Sequence, residues 1–422
     1  MAMQRFVIEG GKRLAGTVRI SGAKNSALPI IAASILTDKK VILENVPDLI
    51  DVRTMIELIS YLGANVDFKK NTLAIHTPHI KRIDAPYDIV RRMRASYYVL
   101  GALIAREKKA HVSFPGGCAI GPRPIDLHIK GLETIGTTVD IADGYINART
   151  RALHGREVNI QGPKGTSVGA TINVMIAATR ARGVTKIAPA ACEPEVVDVA
   201  NFLNAMGCSV AGHGTHTITV HGRSSMSEVL YRIIPDRIET GTFVVTAAMN
   251  HGDVTIEHCR PDHLKSVLDV LKETGATVTI GLDTLRIQGV KAMKPVNIFV
   301  APYPGFPTDM QSQFMAFLSI VPGTSTIKET IFENRFMQAV ELMRMGARIT
   351  IEGDTAVIHG VRRLSGAILM ASDLRASAAL VLAGLVAKGK TAVRRIYHLD
   401  RGYEQFEQKL RSLGARIKRK NE

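Results

Sequence analysis

Most side chains in this sequence that could do chemistry fall in short clusters that read as helix starts. One series is Ser21-Gly-Ala-Lys24-Asn25, Arg91-Arg-Met-Arg94, Lys164-Gly-Thr-Ser167, Pro235-Asp-Arg-Ile-Glu239, Pro307-Thr-Asp309 and Ser372-Asp-Leu-Arg375. A second series is Gly121-Pro-Arg123-Pro124, Glu193-Pro-Glu195, Arg260-Pro-Asp262, Glu333-Asn-Arg335 and Asp400-Arg401-Gly402. A helix N-terminus offers N–H groups and a positive dipole end, so Asp and Ser there serve as caps. Capping does not account for Lys24, Arg94, Lys164, Arg335, Arg375 and Arg401. A cation beside a positive helix end is disfavoured unless an anion is shared between them. The placement therefore points to a ligand with several anionic groups, held between two domains.

Ser21-Gly-Ala-Lys24-Asn25 lacks the G-x-x-x-x-G-K-[ST] spacing of a nucleotide-hydrolysing phosphate loop. The run Phe114-Pro-Gly-Gly-Cys118-Ala-Ile-Gly-Pro-Arg123-Pro124 is more specific. It sets one thiol near one guanidinium in a Gly/Pro-rich loop, where a cation favours the thiolate. Cys192, Cys208 and Cys259 read as inert core residues. His128 occupies a helical slot that elsewhere holds Met55, Val199, Val267 or Phe406. His213 and His216 have no Cys or carboxylate beside them in the sequence, which argues against a metal site.

The elements that must position these residues repeat along the chain. An amphipathic helix ending in glycine and followed by alternating residues recurs at Gly63, Gly136, Gly207, Gly275, Gly346 and Gly414. Four positions before each glycine stands an aliphatic residue: Ile59, Leu132, Leu203, Leu271, Leu342 or Leu410. This is the buried stripe of a helix with a glycine C-cap. Upstream lies an Ala-rich helix, as at 27–36, 171–179 and 376–387, and then a strand, as at 41–46, 110–114, 253–258 and 324–330. Two short strands follow the glycine, as at 347–351 and 355–359. The order is helix, strand, helix, strand, strand, six times over, and the fold class is α/β with mixed sheets.

The sixth copy ends one strand short, at 415–420. Arg5-Phe-Val-Ile-Glu-Gly10 has the pattern of the missing strand, so the N-terminus is expected to pair with the C-terminal repeat. Six repeats exceed one ordinary core. The expected domains are 23–234, carrying Cys118, and 1–22 plus 235–422, carrying Asp309, Arg335, Arg375 and Arg401. A continuous solenoid is the alternative.

Composition excludes other classes. The chain has 422 residues, 46% of them hydrophobic and 22% charged, an ordinary globular balance. The formal charge of +16 raises nucleic acid as a partner. Yet there is no Trp, only 5% aromatics and no long basic block beyond 416–420, so no nucleic-acid function is expected. No signal peptide is visible, and the apolar run 376–387 is too short for a bilayer. Unpaired cysteine spacing suits a reducing cytoplasm.

The chain resembles the enolpyruvyl transferase family, in particular its members acting on UDP-N-acetylglucosamine. The likeness runs end to end through 20–29 (ISGAKNSALP), 93–96, 115–123, 167–171, 235–241 (PDRIETG), 306–311 (FPTDMQ), 332–337 (FENRFM), 373–377 (DLRAS) and 396–403. It implies two pseudo-threefold domains of the inside-out α/β barrel type, with the active site in the cleft between them. It also implies transfer of the enolpyruvyl group of phosphoenolpyruvate to the 3-hydroxyl of UDP-N-acetylglucosamine through a tetrahedral ketal, the step that opens peptidoglycan synthesis.

By the same resemblance Asp309 is the base and Cys118 the lid thiol, the one that fosfomycin alkylates. Lys24 and Arg401 serve catalysis and, with Arg123, hold phosphate; Arg335 and Arg375 hold carboxylate. Asn25, Arg94, Asp373 and His128 complete the active site. The UDP-sugar contacts are Asn25, Arg94, Arg123, Pro124, Ile125, Asp126, Leu127, His128, Lys164, Ser167, Val168, Gly169, Asp309 and Ile331. No cofactor, metal or obligate protein partner is implied. Two features depart from the family pattern: an extra residue in Gly165-Thr166, and Pro122 in the lid loop. The alternatives are a transferase like 5-enolpyruvylshikimate-3-phosphate synthase, whose Asn-Ala-Gly-Thr-Ala loop is absent, and a basic RNA-binding protein.

Overall fold

Six four-stranded sheets share one plan in the computed structural model, which describes residues 4–114, 125–290 and 292–422. In each, an edge strand runs parallel to its neighbour, and two further strands continue the sheet antiparallel. The chain forms two compact units with three sheets each. One unit contains the described residues up to Ser21 and Pro235–Glu422; the other contains the described residues from Gly22 to Ile234.

The expected pairing of the chain ends is present. Gln4–Glu9 lies between Lys390–Arg394 and Arg416–Asn421, antiparallel to both, with Ile8 opposite Thr391 and Ile417. Period-two alternation turns Phe6 and Ile8 into the core. The sequence reading missed the edge strands, which make every sheet four strands wide instead of three. In four repeats the edge strand precedes the buried helix and pairs parallel with the strand after it, a βαβ step. The other two have exchanged strands. Ala15–Arg19 pairs with Asp253–Glu257, and Val229–Arg232 pairs with Lys40–Glu44. The pairings close units of three sheets, not a continuous stack.

Both helix classes follow their sequence patterns. Lys24–Ala33, Tyr98–Glu107, Val168–Ala178, Arg237–Met249, Thr308–Leu318 and Leu374–Val386 are buried on nearly all sides and fill the middle of their units. The latter three pack on one another. The second-class helices all end as expected. Gly63, Gly136, Gly207, Gly275, Gly346 and Gly414 each have positive φ, from 89° to 120°. Each glycine N–H donates to the carbonyl three residues back, for example Gly63 to Ser60 at 3.0 Å and Gly346 to Met343 at 2.9 Å. The six aliphatics of the marker slot are all fully buried.

Part of the basic surplus is structural. Arg106 caps ends of its unit's chain turns: Nη1 donates to Ile35 and Thr37 carbonyls at 2.6 and 2.9 Å, Nη2 to Thr77 and Pro78 at 2.7 and 3.0 Å. Replacing Arg106 with Met would strand four carbonyls. It is expected to lower unfolding free energy by about 3 kcal/mol in a urea titration.

Candidate active site

In the unit containing the termini, two of the arginines expected at the reacting end, Arg335 and Arg375, converge on one carboxylate, that of Asp309. Asp309 stands in the first turn of Thr308–Leu318. Arg335 Nη2 donates to its Oδ1 at 2.8 Å and Arg375 Nη2 to its Oδ2 at 2.7 Å. The guanidinium side chains are only 4% and 5% exposed, whereas Asp309 is 28% exposed. Burial weighs against the Arg375 charge, but the neighbouring Asp309 more than restores it and holds the guanidinium above its usual pKa. Arg335 Nε is buried with no hydrogen-bond partner among the described residues, an N–H suited to an incoming anion.

Neighbouring groups hold this cluster in place. Asp373 caps Leu374–Val386, accepting from Arg375 and Ala376 N–H at 2.9 and 3.1 Å, which fixes where the Arg375 helix begins. Arg375 Nη1 donates to the Tyr403 hydroxyl at 3.3 Å, and that hydroxyl also meets Thr242 and Gln313. Burial raises the Tyr403 pKa, so the phenol stays neutral. Glu329 is buried, accepting from Thr308 Oγ1 at 2.9 Å and from Ile331 N–H at 2.8 Å. It thereby ties the Asp309 helix start to Ile331. Arg401 closes the 3-10 turn Ile396–Arg401.

In the other unit, Lys24 and Asn25 open Lys24–Ala33 and Arg94 opens the 3-10 turn Arg94–Tyr97. Lys24 Nζ lies 3.3 Å from Asp51 Oδ2, both buried. This corrects one step of the sequence argument. The anions beside Lys24 and Arg375 include carboxylates of the chain itself, Asp51 and Asp309, so helix-start cations alone do not prove a ligand. Ser167 caps Val168–Ala178 through Oγ and Ala170 N–H at 3.2 Å, with Val168 and Gly169 in the first turn. The extra residue lies in a tight turn: Gly162 and Gly165 exchange both backbone hydrogen bonds, and Lys164 is exposed at its tip. Ile125 precedes the helix Asp126–Thr134, which carries Asp126, Leu127 and His128. Cys118, Pro122, Arg123 and Pro124 lie outside the described residues.

Sequence reasoning missed Asp51, Glu329, Tyr403 and the His128 partner Asn173. Tyr403 lies two residues beyond Arg401, inside a recognised motif; the others carry no local signal. Burial pushes the Cys208 and Cys259 thiols up to about 11 and about 12 and also raises Cys192, so all three stay protonated near neutrality. Among the described residues, no group of three or more His, Cys, Asp or Glu is placed to hold a metal ion. No helix among them is long and apolar enough to cross a membrane.

These arrangements sit on a known architecture. The chain superposes along its full length on the enolpyruvyl transferase NikO from Streptomyces tendae, with TM-score 0.91 and 26% identity, covering 100% of both chains. EPSP synthase from Acinetobacter baumannii shares the fold at TM-score 0.76 and 16% identity, covering 99% of this chain and 100% of its own. Residues 8–410 match the family model described as EPSP synthase (3-phosphoshikimate 1-carboxyvinyltransferase). The class is thus the carboxyvinyltransferases. Sequence relatives narrow it. UDP-N-acetylglucosamine 1-carboxyvinyltransferase of Desulfosudis oleivorans is 52% identical over 99% of both chains. Enzyme 1 of that name from Caldanaerobacter subterraneus is 53% identical, again over 99% of both, and the Yersinia pestis protein is 50% identical over 99% of each. The chain belongs to the UDP-N-acetylglucosamine 1-carboxyvinyltransferase family.

Proposed function

We propose that the chain transfers the enolpyruvyl group of phosphoenolpyruvate to the 3-hydroxyl of UDP-N-acetylglucosamine and releases phosphate, in the cytoplasm, as the opening step of peptidoglycan synthesis. The observation that carries this is end-to-end identity of about half with relatives of that name. The Arg335–Asp309–Arg375 cluster supports it, since it joins a candidate base to two cations that suit an anionic substrate.

In this reading the carboxylate of phosphoenolpyruvate takes over guanidinium donors from Asp309, and the orphaned Arg335 Nε adds another. That exchange releases an Asp309 oxygen to accept the proton of the sugar hydroxyl. The hydroxyl oxygen bonds to C2 of phosphoenolpyruvate while C3 gains a proton, giving the tetrahedral ketal. Loss of a C3 proton and departure of phosphate then regenerate the double bond on the sugar. Lys24, Arg123 and Arg401 would stabilise the phosphate as it leaves. Cys118, the lid thiol by the family resemblance, would supply acid or assist product release. Asn25, Arg94, His128, Lys164, Ser167, Val168, Gly169 and Ile331 would hold the sugar nucleotide, with Ile125, Asp126 and Leu127 beside them.

The test is phosphate release by the purified chain. It is expected only when phosphoenolpyruvate and UDP-N-acetylglucosamine are both present. Release that ignores the sugar nucleotide, or none at all, contradicts the reading.

A further inference from the structure

We propose that Asn173 acts as a positioning residue that fixes His128 as its Nε2–H tautomer, so that the ring presents an N–H donor to the sugar nucleotide. The functional half rests on the reading that His128 belongs to the sugar-nucleotide site; the tautomer does not.

Asn173 is fully buried in the interior of Val168–Ala178, an unusual place for an amide. Its orientation is determined by backbone groups, which cannot exchange roles. Gly101 N–H donates to Asn173 Oδ1 at 2.8 Å, so that atom must be the oxygen. The opposite atom lies 3.1 Å from the Tyr97 carbonyl, an obligate acceptor, so it must be the amide nitrogen. This same Nδ2 lies 3.2 Å from His128 Nδ1. The amide has only hydrogens to offer there, so Nδ1 must accept and the ring proton sits on Nε2.

The surroundings preserve this geometry. A Cβ on Gly101 would fall 2.3 Å from Asn173 Oδ1 and 2.5 Å from the Asn173 carbonyl oxygen, so only glycine lets the two helices meet here. The Tyr97 ring packs edge-on against His128, with centroids 4.5 Å apart. On the far edge, a Cβ on Gly169 would lie 2.8 Å from His128 Cε1 and 3.0 Å from Nε2. The Nε2–H edge therefore faces the first turn of Val168–Ala178, where Ser167, Val168 and Gly169 are proposed to meet the nucleotide.

The experiment is a two-bond proton–nitrogen correlation on the full chain labelled with nitrogen-15 at histidine. His128→Gln assigns the signal among the 13 histidines. The expected spectrum has a protonated Nε2 and an unprotonated Nδ1, and saturating UDP-N-acetylglucosamine shifts the Nε2 signal. In Asn173→Asp the donor becomes an acceptor, so Nδ1 should become protonated. KM for the sugar nucleotide should then rise about tenfold, the worth of one buried hydrogen bond, with KM for phosphoenolpyruvate within about twofold. A protonated Nδ1 in the unmodified chain overturns the proposal, whether or not the variant folds. An Nε2–H signal indifferent to the nucleotide overturns its functional half, while phosphate release with both substrates would leave the overall reaction standing.

Discussion

Asp309→Asn is expected to lower the maximal rate of phosphate release by roughly three orders of magnitude or more, the scale of a lost general base. The substitution keeps the side-chain shape and one carbonyl oxygen. It removes the basic oxygen and leaves an amide N–H₂ facing one of two buried guanidiniums. A second effect comes with the first. Arg335 and Arg375 lose their shared anion, so the melting temperature should fall, as it does when a buried ion pair loses one partner. UDP-sugar binding, measured by calorimetry, should stay within about threefold, since the proposed nucleotide contacts lie mainly on other residues. Lost sugar binding would make Asp309 a positioning group and not the base.

The largest stability effect is expected at Gly360. A Cβ there would fall 1.6 Å from the Val321 carbonyl oxygen and 2.4 Å from its carbon. Both are backbone atoms three residues beyond the end of the Thr308–Leu318 helix, so nothing flexible can give way. Gly360→Ala is expected to cost about 4 kcal/mol or to prevent folding, the range of severe overpacking. Gly353→Ala is the control. Its φ is +61°, but nothing lies within 4 Å of the added methyl, so only backbone strain of about 1 kcal/mol is expected. Urea titrations of both variants separate the two causes. Equal losses would show that the strand end is not locked against the helix.

Gly360 also explains why the repeats were legible. Gly10, Gly222, Gly289 and Gly360 all end a strand, and at each a Cβ would strike backbone near the end of a buried helix. Such constraints recur with the repeat, so they leave a periodic trace in the sequence. The same holds for the glycine caps and the aliphatic four positions before each. The missing sixth strand was legible because Arg5-Phe-Val-Ile-Glu-Gly10 repeats the pattern of its equivalents.

The edge strands left no such trace. Asp84–Ala85 and Glu157–Val158 are two residues long, too short to show alternation. The exchange of Ala15–Arg19 with Val229–Arg232 depends on contacts 238 and 188 residues apart (Ala15 to Asp253, Val41 to Val229), which no local pattern encodes. The site divides the same way. Lys24, Arg335, Arg375 and Arg401 stood out because a positive charge at a helix start breaks a rule, whereas Asp309 obeys it and was legible only through its motif. Asp51, Glu329 and Asn173 belong to no recognised motif, and each acts on the site through a partner on another element: Lys24, Thr308 and His128. The +16 surplus is likewise distributed: Arg106 binds carbonyls, and Arg419 bridges Asp400 and Glu407.

The most direct measurement offers the purified chain phosphoenolpyruvate together with equal amounts of UDP-N-acetylglucosamine and shikimate 3-phosphate, and identifies the product by mass. The account predicts an enolpyruvyl ether on the sugar nucleotide alone, with one phosphate released per ether formed. An enolpyruvyl group on shikimate 3-phosphate, or phosphate without any ether, would contradict it.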